Sequence, residues 1–370
     1  MWRAAPAAAY DLPVVSRDRG GDEGGPAPEG RPAPTIDVHT HAIVPAAMRH
    51  LAEPAAAAHR RQEAETFGAE SVRVNEATIQ AILPRLTDLD TRLQAMDAMT
   101  VDVQLVSPSP VHYHDWAPPA LGADISREVN EGIAALCQRS PHRLAGLGIV
   151  PLQHPELAAH ELEFAVGSLG LEGVEISTSA GGMELSHPSL ECFWERAEAL
   201  GALVFIHPWG CSLGSRLGEH YLANTVGNPT ETTLAVSHLV FSGLLDRRPG
   251  LRLLLAHGGG YLPFYIGRSD HAWTVRPEAH TAQRPPSEYL RELYFDSLVY
   301  SPQALQALVT QVGAERVMLG SDFPFDMGVP DPLERLAAAQ LPPADFDAIR
   351  GVTAAGLLGG DRAWPTSDVV

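Results

Sequence analysis

Thr-Ile-Asp-Val-His-Thr-His, residues 35–41, places two histidines one residue apart at the end of an apolar, strand-like run. Successive side chains of a β-strand point to opposite faces, so His39 and His41 share one. Two imidazoles so close on one face are costly unless they hold a common ligand. Three later apolar runs end in similar fashion. His207 closes Ala-Leu-Val-Phe-Ile-His, His257 closes Leu-Arg-Leu-Leu-Leu-Ala-His, and Asp322 closes Arg-Val-Met-Leu-Gly-Ser-Asp.

Those runs belong to a longer rhythm. Short apolar segments stand at 35–39, 101–107, 144–150, 173–177, 202–207, 251–257, 292–298 and 316–321. Several look buried on both faces, as parallel strands are. Amphipathic stretches at 124–139, 155–169, 188–200, 230–246, 302–313 and 331–340 lie between them, with one more helix expected near 344–358. Eight strand–helix units in one chain predict a (β/α)8 TIM-type barrel of the metal-dependent-hydrolase kind over 35–360. The connection at about 42–100 is too long for one helix and predicts a small insertion over the barrel mouth. Residues 1–34, rich in Gly, Pro and Ala, predict a flexible extension; residues 361–370 predict a tail.

Composition narrows the chemistry. The net charge of −19 argues against nucleic acid and anionic membranes as partners. All 26 basic residues are arginine and none is lysine. That excludes a lysine Schiff base, a P-loop lysine and a carbamylated lysine bridging two metals. Cys137, Cys192 and Cys211 are widely spaced and odd in number, which fits a reducing cytoplasm. No membrane span and no secretory leader are expected, so a cytoplasmic location is.

The carboxyl ends of barrel strands converge on one mouth. His39 and His41 would end strand 1, His207 strand 5, His257 strand 6 and Asp322 strand 8. Three imidazoles and a carboxylate suit one divalent ion, Zn2+ best, with Mn2+ the alternative. Such an ion lowers the pKa of a water to about 7 or polarises a substrate oxygen. A histidine outside the ligand set, His257, would then handle the proton. Taken singly, each histidine reads as a hydrogen-bonded core residue; the joint pattern is what points to a metal. A second pair, His112 and His114, reads as a polar loop, with a substrate-contacting lip as its functional alternative.

These motifs match a family. Ile-Asp-Val-His-Thr-His (36–41), Gly-Leu-Gly-Ile-Val-Pro-Leu-Gln (146–153), Phe-Ile-His-Pro-Trp-Gly (205–210), Pro-Thr-Glu-Thr-Thr (229–233), Ala-His-Gly-Gly-Gly (256–260), Pro-Phe-Tyr-Ile-Gly-Arg (263–268) and Gly-Ser-Asp-Phe-Pro-Phe (320–325) occur in order. With them the chain resembles the amidohydrolase-related metal-dependent decarboxylases, especially those of α-amino-β-carboxymuconate-ε-semialdehyde. The resemblance implies that His39, His41, His207 and Asp322 bind one metal, with no organic cofactor, and that His257 acts beside it. It implies Arg73 and Arg268 as holders of substrate carboxylates, and a homodimer with Arg268 donated across the interface. Trp209 and Asn224 fall where substrate would sit. The chain departs from the relatives at Gly210, where they carry Asp, and at about Asn224, where they carry an aromatic residue. The activity implied is non-oxidative, carbon–carbon-cleaving decarboxylation of an unsaturated or aromatic carboxylic acid, whether muconate semialdehyde-like or hydroxybenzoate-like. In this reading His257 or Asp322 relays the proton that replaces CO2. A hydrolase or hydratase using the same mononuclear site is the alternative.

Overall fold

The computed structural model describes residues 33–358 and Trp364. The expected extension at 1–34, but for its last two residues, and the tail at 361–370, but for Trp364, lie outside the described residues. Eight parallel strands follow one another round a ring in chain order: β1 (Ile36–Ala42), β2 (Val103–Pro108), β3 (Leu144–Gly148), β4 (Gly173–Ile176), β5 (Leu203–Ile206), β6 (Arg252–Leu255), β7 (Tyr294–Asp296) and β8 (Val317–Met318). Backbone bonds between β1 and the chain leaving β8 close the ring: Val38 N–H donates to Leu319 O, Asp322 N–H to His39 O and His41 N–H to Phe323 O, each at 2.8 Å. All eight strands fall within the apolar runs read from the sequence or overlap them. Among the described residues, no helix is long and apolar enough to cross a membrane.

Two apolar cores follow from the pleat. Ile36, Val38, Leu105, Leu147, Phe205, Leu254 and Met318 fill the barrel, and Ala354 and Leu358 of the last helical segment pack against them. The alternate residues, such as Val106, Val204, Leu253 and Phe295, face the surrounding helices. At roughly 25 cal/mol per Å² of apolar surface removed from water, these two layers are the main drive to fold.

The pleat is interrupted once where it matters. The register of β1 on β2 shifts between Asp37 and Thr40. That bulge changes the phase of the strand. Val38 therefore belongs to the inner core, and His39, the next residue, also meets inner Phe205, ring centroids 5.0 Å apart. Without the extra residue, burying Ile36 and Val38 inside would turn His39 and His41 outward.

The connection after β1 forms helices α1 (Pro54–Phe67), α2 (Ala69–Thr87) and α3 (Leu89–Ala98). Arg92 of α3, 1% exposed, donates to the His41 carbonyl and to Gln104 Oε1 beneath the ligand-bearing strand. Helix α1 leans on the loop leaving β5, where Trp209 Nε1 donates to Glu63 Oε1 at 2.5 Å. Further round the barrel lie α4 (Pro119–Gln138) and α5 (Asn228–Phe241), with α6 (Leu262–Val275) after β6.

His112 and His114 stand in the polar connection that follows β2, but turned inward rather than towards solvent. Both are buried struts after β2. His112 Nε2 accepts from Val44 N–H at 2.9 Å. His114 Nδ1 donates to the His112 carbonyl at 3.0 Å, and its Nε2 meets Ser126 Oγ at 2.9 Å. An imidazole nitrogen that accepts must be unprotonated, so the His112 ring is neutral. Burial accordingly holds His112 down to about 3 and His114 to about 4.

The pH dependence of stability follows in sign. Above pH 6.5, the ordinary histidine value, neither folded nor unfolded chain binds these protons. Below it the unfolded chain takes them up and the folded chain does not. Stability therefore falls as pH falls towards 4, by up to about 1.4 kcal/mol per pH unit per histidine. Urea titrations between pH 7 and 5 check this: His112→Gln, whose side-chain oxygen still accepts from Val44, should lose stability less steeply than the parent chain.

Candidate metal centre

Each ligand-bearing side chain stands where a strand ends. His39 and His41 end β1, His207 follows β5, and Asp322 sits on the chain leaving β8. One donor atom from each lies within 4.8 Å of all the others, and all four residues are buried. Asp322 Oδ1 is 3.4 Å from His39 Nε2 and 3.3 Å from His41 Nε2. The ring centroids of His41 and His207 are 4.8 Å apart, and those of His39 and His207 5.1 Å.

The unsatisfied atoms test whether a cation fits. His39 Nε2, His41 Nε2, both nitrogens of His207 and Asp322 Oδ1 are buried without a hydrogen-bond partner. Buried polar atoms are nearly always paired. Here one atom from each of the four residues converges on a single point, and their chemistry is that of a divalent-metal donor set. The four residues fit one divalent ion.

Charge follows the same logic. Burial, with His41, His39 and His257 close by, pushes His207 well below the ordinary imidazole value, into the neutral form that ligates. Burial also lowers His39, against the pull of Asp322 and Asp296. For His41, burial is outweighed by Glu175 and Asp322, which raise it. Burial would raise Asp322 too, but His39, His257 and His41 hold it well below the carboxylate range.

His257 lies beside this set. Its ring is 5.2 Å from that of His39 and 5.3 Å from that of His207, and its Nε2 is 3.8 Å from Asp322 Oδ2. Both His257 and Asp322 take left-handed backbone, φ 55° and 59°. For non-glycine residues that costs about 1–3 kcal/mol each and persists only where surroundings enforce it. The turn after His257 is tightly packed: a Cβ on Gly260 would sit 2.2 Å from the Pro229 carbonyl.

The remaining expected residues divide. Trp209 lies at the mouth, 36% exposed, its ring 5.2 Å from that of Phe67. Asn224 is half-buried in the helical turn Ala223–Gly227. Arg73 stands on the exposed face of α2, paired with Glu70 at 2.6 Å rather than turned to the donors. Arg268 is exposed on α6, on a face that also presents Tyr261, Phe264 and Tyr265.

Two carboxylates escape the sequence reading. Asp296 Oδ2 lies 2.6 Å from His39 Nδ1. Glu175 Oε1 accepts from Tyr113 Oη at 2.7 Å, while its Oε2 is 3.6 Å from His41 Nδ1. Each stands in plain view as an acid within an apolar strand, in Tyr-Phe-Asp-Ser (294–297) and Gly-Val-Glu-Ile (173–176). A buried acid on a parallel strand needs a partner, and that is the available signal.

Residues 36–360 match the family described as Amidohydrolase. A 2-amino-3-carboxymuconate-6-semialdehyde decarboxylase of Dictyostelium discoideum is 39% identical over 243 residues, 65% of this chain and 68% of that one. A gamma-resorcylate decarboxylase of Rhodococcus jostii is 32% identical over 296 residues, 75% of this chain and 90% of that one. The crystal structure of 5-carboxyvanillate decarboxylase from Sphingomonas paucimobilis superposes with a TM-score of 0.75 at 27% identity, covering 88% of this chain and 99% of that one.

Removing a ligand should abolish loading without unfolding the barrel. His207→Ala deletes a side chain with two unpaired nitrogens, so no hydrogen bond is lost. The expected result is metal content near zero by elemental analysis, with far-UV circular dichroism unchanged and the thermal stabilisation given by added Zn2+ or Mn2+ abolished.

Proposed function

The chain belongs to the amidohydrolase family, and from that premise we propose that it is a metal-dependent, non-oxidative decarboxylase of an unsaturated or aromatic carboxylic acid. The observation that carries this reading is the convergence of four buried donors, with a further imidazole, His257, beside them. The relatives named for carboxymuconate semialdehyde and resorcylate support the chemical class. We take Zn2+ as the metal, with Mn2+ the alternative, because imidazole dominates the donor set.

A divalent cation held by His39, His41, His207 and Asp322 would supply Lewis-acid stabilisation of the negative charge left as CO2 departs. The chain's own task is then to replace CO2 by a proton at the same carbon. His257 is placed for it: its side chain is 13% exposed, so one edge reaches the mouth, while Nε2 faces Asp322 Oδ2. Asp322, whose Oδ2 stands 3.8 Å from that nitrogen, is the second group assigned to the proton relay. Positioned acid–base groups of this kind contribute about 10²–10⁴-fold.

Trp209 and Asn224 flank the mouth as substrate contacts in this reading, the indole offering its face to a planar, conjugated acid. An exposed pair such as Glu70–Arg73 exchanges readily, which leaves Arg73 available to a substrate carboxylate. Arg268 shares its face of α6 with Tyr265, 69% exposed, and with Phe264 and Tyr261. Contiguous exposed aromatics mark contact surfaces, and we assign this one to a homodimer that hands Arg268 to the partner's mouth.

Metal analysis joined to a CO2-release screen tests the function. The panel comprises aminocarboxymuconate semialdehyde, hydroxybenzoates and anthranilate-like acids. Decarboxylation predicts CO2 equimolar with product; a product heavier by one water would establish a hydrolase or hydratase instead. His257→Ala should keep its metal and lose about 10²–10⁴-fold in kcat. Arg268→Ala should raise KM more than it lowers kcat if it holds a carboxylate; an unchanged KM would remove it from the site.

A further inference from the structure

Asp296 ends β7 with none of its surface exposed. It is neither one of the four donors nor near the surface. Its two oxygens meet four donors. Oδ2 lies 2.6 Å from His39 Nδ1 and accepts from His257 N–H at 2.8 Å. Oδ1 accepts from Gly258 N–H at 2.8 Å and from Leu298 N–H at 3.1 Å. A carboxylate has about four lone-pair sites, and all are taken. With every site facing an N–H donor, no place is left for a proton.

The two partners on Oδ2 are of different kinds. One is the ring of a metal-donor residue, the other the backbone of the proposed proton-handling residue. With Nδ1–H committed to Asp296, His39 must present an unprotonated Nε2, the atom left unpaired at the donor cluster. The pair of bonds to His257 N–H and Gly258 N–H grips two successive amides in left-handed backbone, φ 55° and 61°. That grip is what keeps His257 in a conformation it would otherwise leave.

We infer that Asp296 is a positioning residue that joins the two halves of the centre, fixing the tautomer of His39 and the strained turn of His257 with one carboxylate. The inference rests on the reading of the site as a metal-dependent catalyst. It assigns to one residue both grip on the metal and placement of the proton donor. An amide cannot do the same. In Asp296→Asn the new NH2 group would point either at two backbone N–H donors, or at His39 and the His257 N–H. Relief in the second case needs the other His39 tautomer, which puts a proton on Nε2.

The test uses the full chain and Co2+ as the metal probe. Asp296→Asn should bind Co2+ about 10–100-fold more weakly in chelator competition, and its visible Co2+ spectrum should change. At saturating metal the variant should also lose kcat, and that loss should vanish in a His257→Ala background, because Asp296 then has no ring left to place. Wild-type affinity and spectrum in Asp296→Asn would overturn the tautomer role; equal losses of kcat with and without His257 would overturn the link. Should the variant not fold, 15N shifts of the histidine rings in the metal-loaded parent decide: Nδ1–H on His39 is expected, and Nε2–H refutes the proposal. A parent chain that binds no Co2+ at all would instead sink the metal reading, so the two failures are distinct.

Discussion

Where β1 meets the chain leaving β8, three backbone hydrogen bonds of 2.8 Å close the barrel, and the ligand set exists only because they form. Two of them involve the ligand-bearing residues themselves: Asp322 N–H donates to the His39 carbonyl, and His41 N–H to Phe323 O. Asp37 strengthens the same seam, accepting from His39 N–H at 3.2 Å and from Ser321 N–H at 3.0 Å. Closure of the sheet and convergence of first and last ligands are thus one event. Residues 281 positions apart would otherwise have no reason to meet (322 less 41).

That seam also concentrates charge. Asp37, Glu175, Asp296 and Asp322 are all buried, around the imidazoles of His39, His41 and His207. Burial drives Asp37 up to about 7 even though it accepts three hydrogen bonds. Isolated buried carboxylates are expensive, and buried imidazoles that lack partners are too. A divalent cation resolves both at once, which is why buried acids and unpartnered imidazoles can stand together here. Two of the non-glycine residues in left-handed backbone, His257 and Asp322, lie at that same centre. Their conformations are held by neighbours, His257 by the carboxylate of Asp296 and Asp322 by the seam itself.

The barrel was legible because its signals are local. Apolar runs with the strand period, spaced by helix-length amphipathic stretches, appear in the chain before any contact is known, and H-x-H with three strand-ending polar residues marks the centre. Less local features were not legible. The bulge in β1 depends on how that strand pairs with β2. His112 and His114 look like a polar loop until Val44 and Ser126 arrive from elsewhere to bond them.

By itself the sequence determined the strand count, the ends at which polar side chains emerge, and the donor types, because period and residue chemistry are properties of short segments. Only the tertiary structure decided which acids serve those donors. Asp296 and Glu175 acquire meaning from distances to His39 and His41 across the ring. Such distances depend on barrel closure, register and the phase change in β1, and no window of contiguous residues contains them.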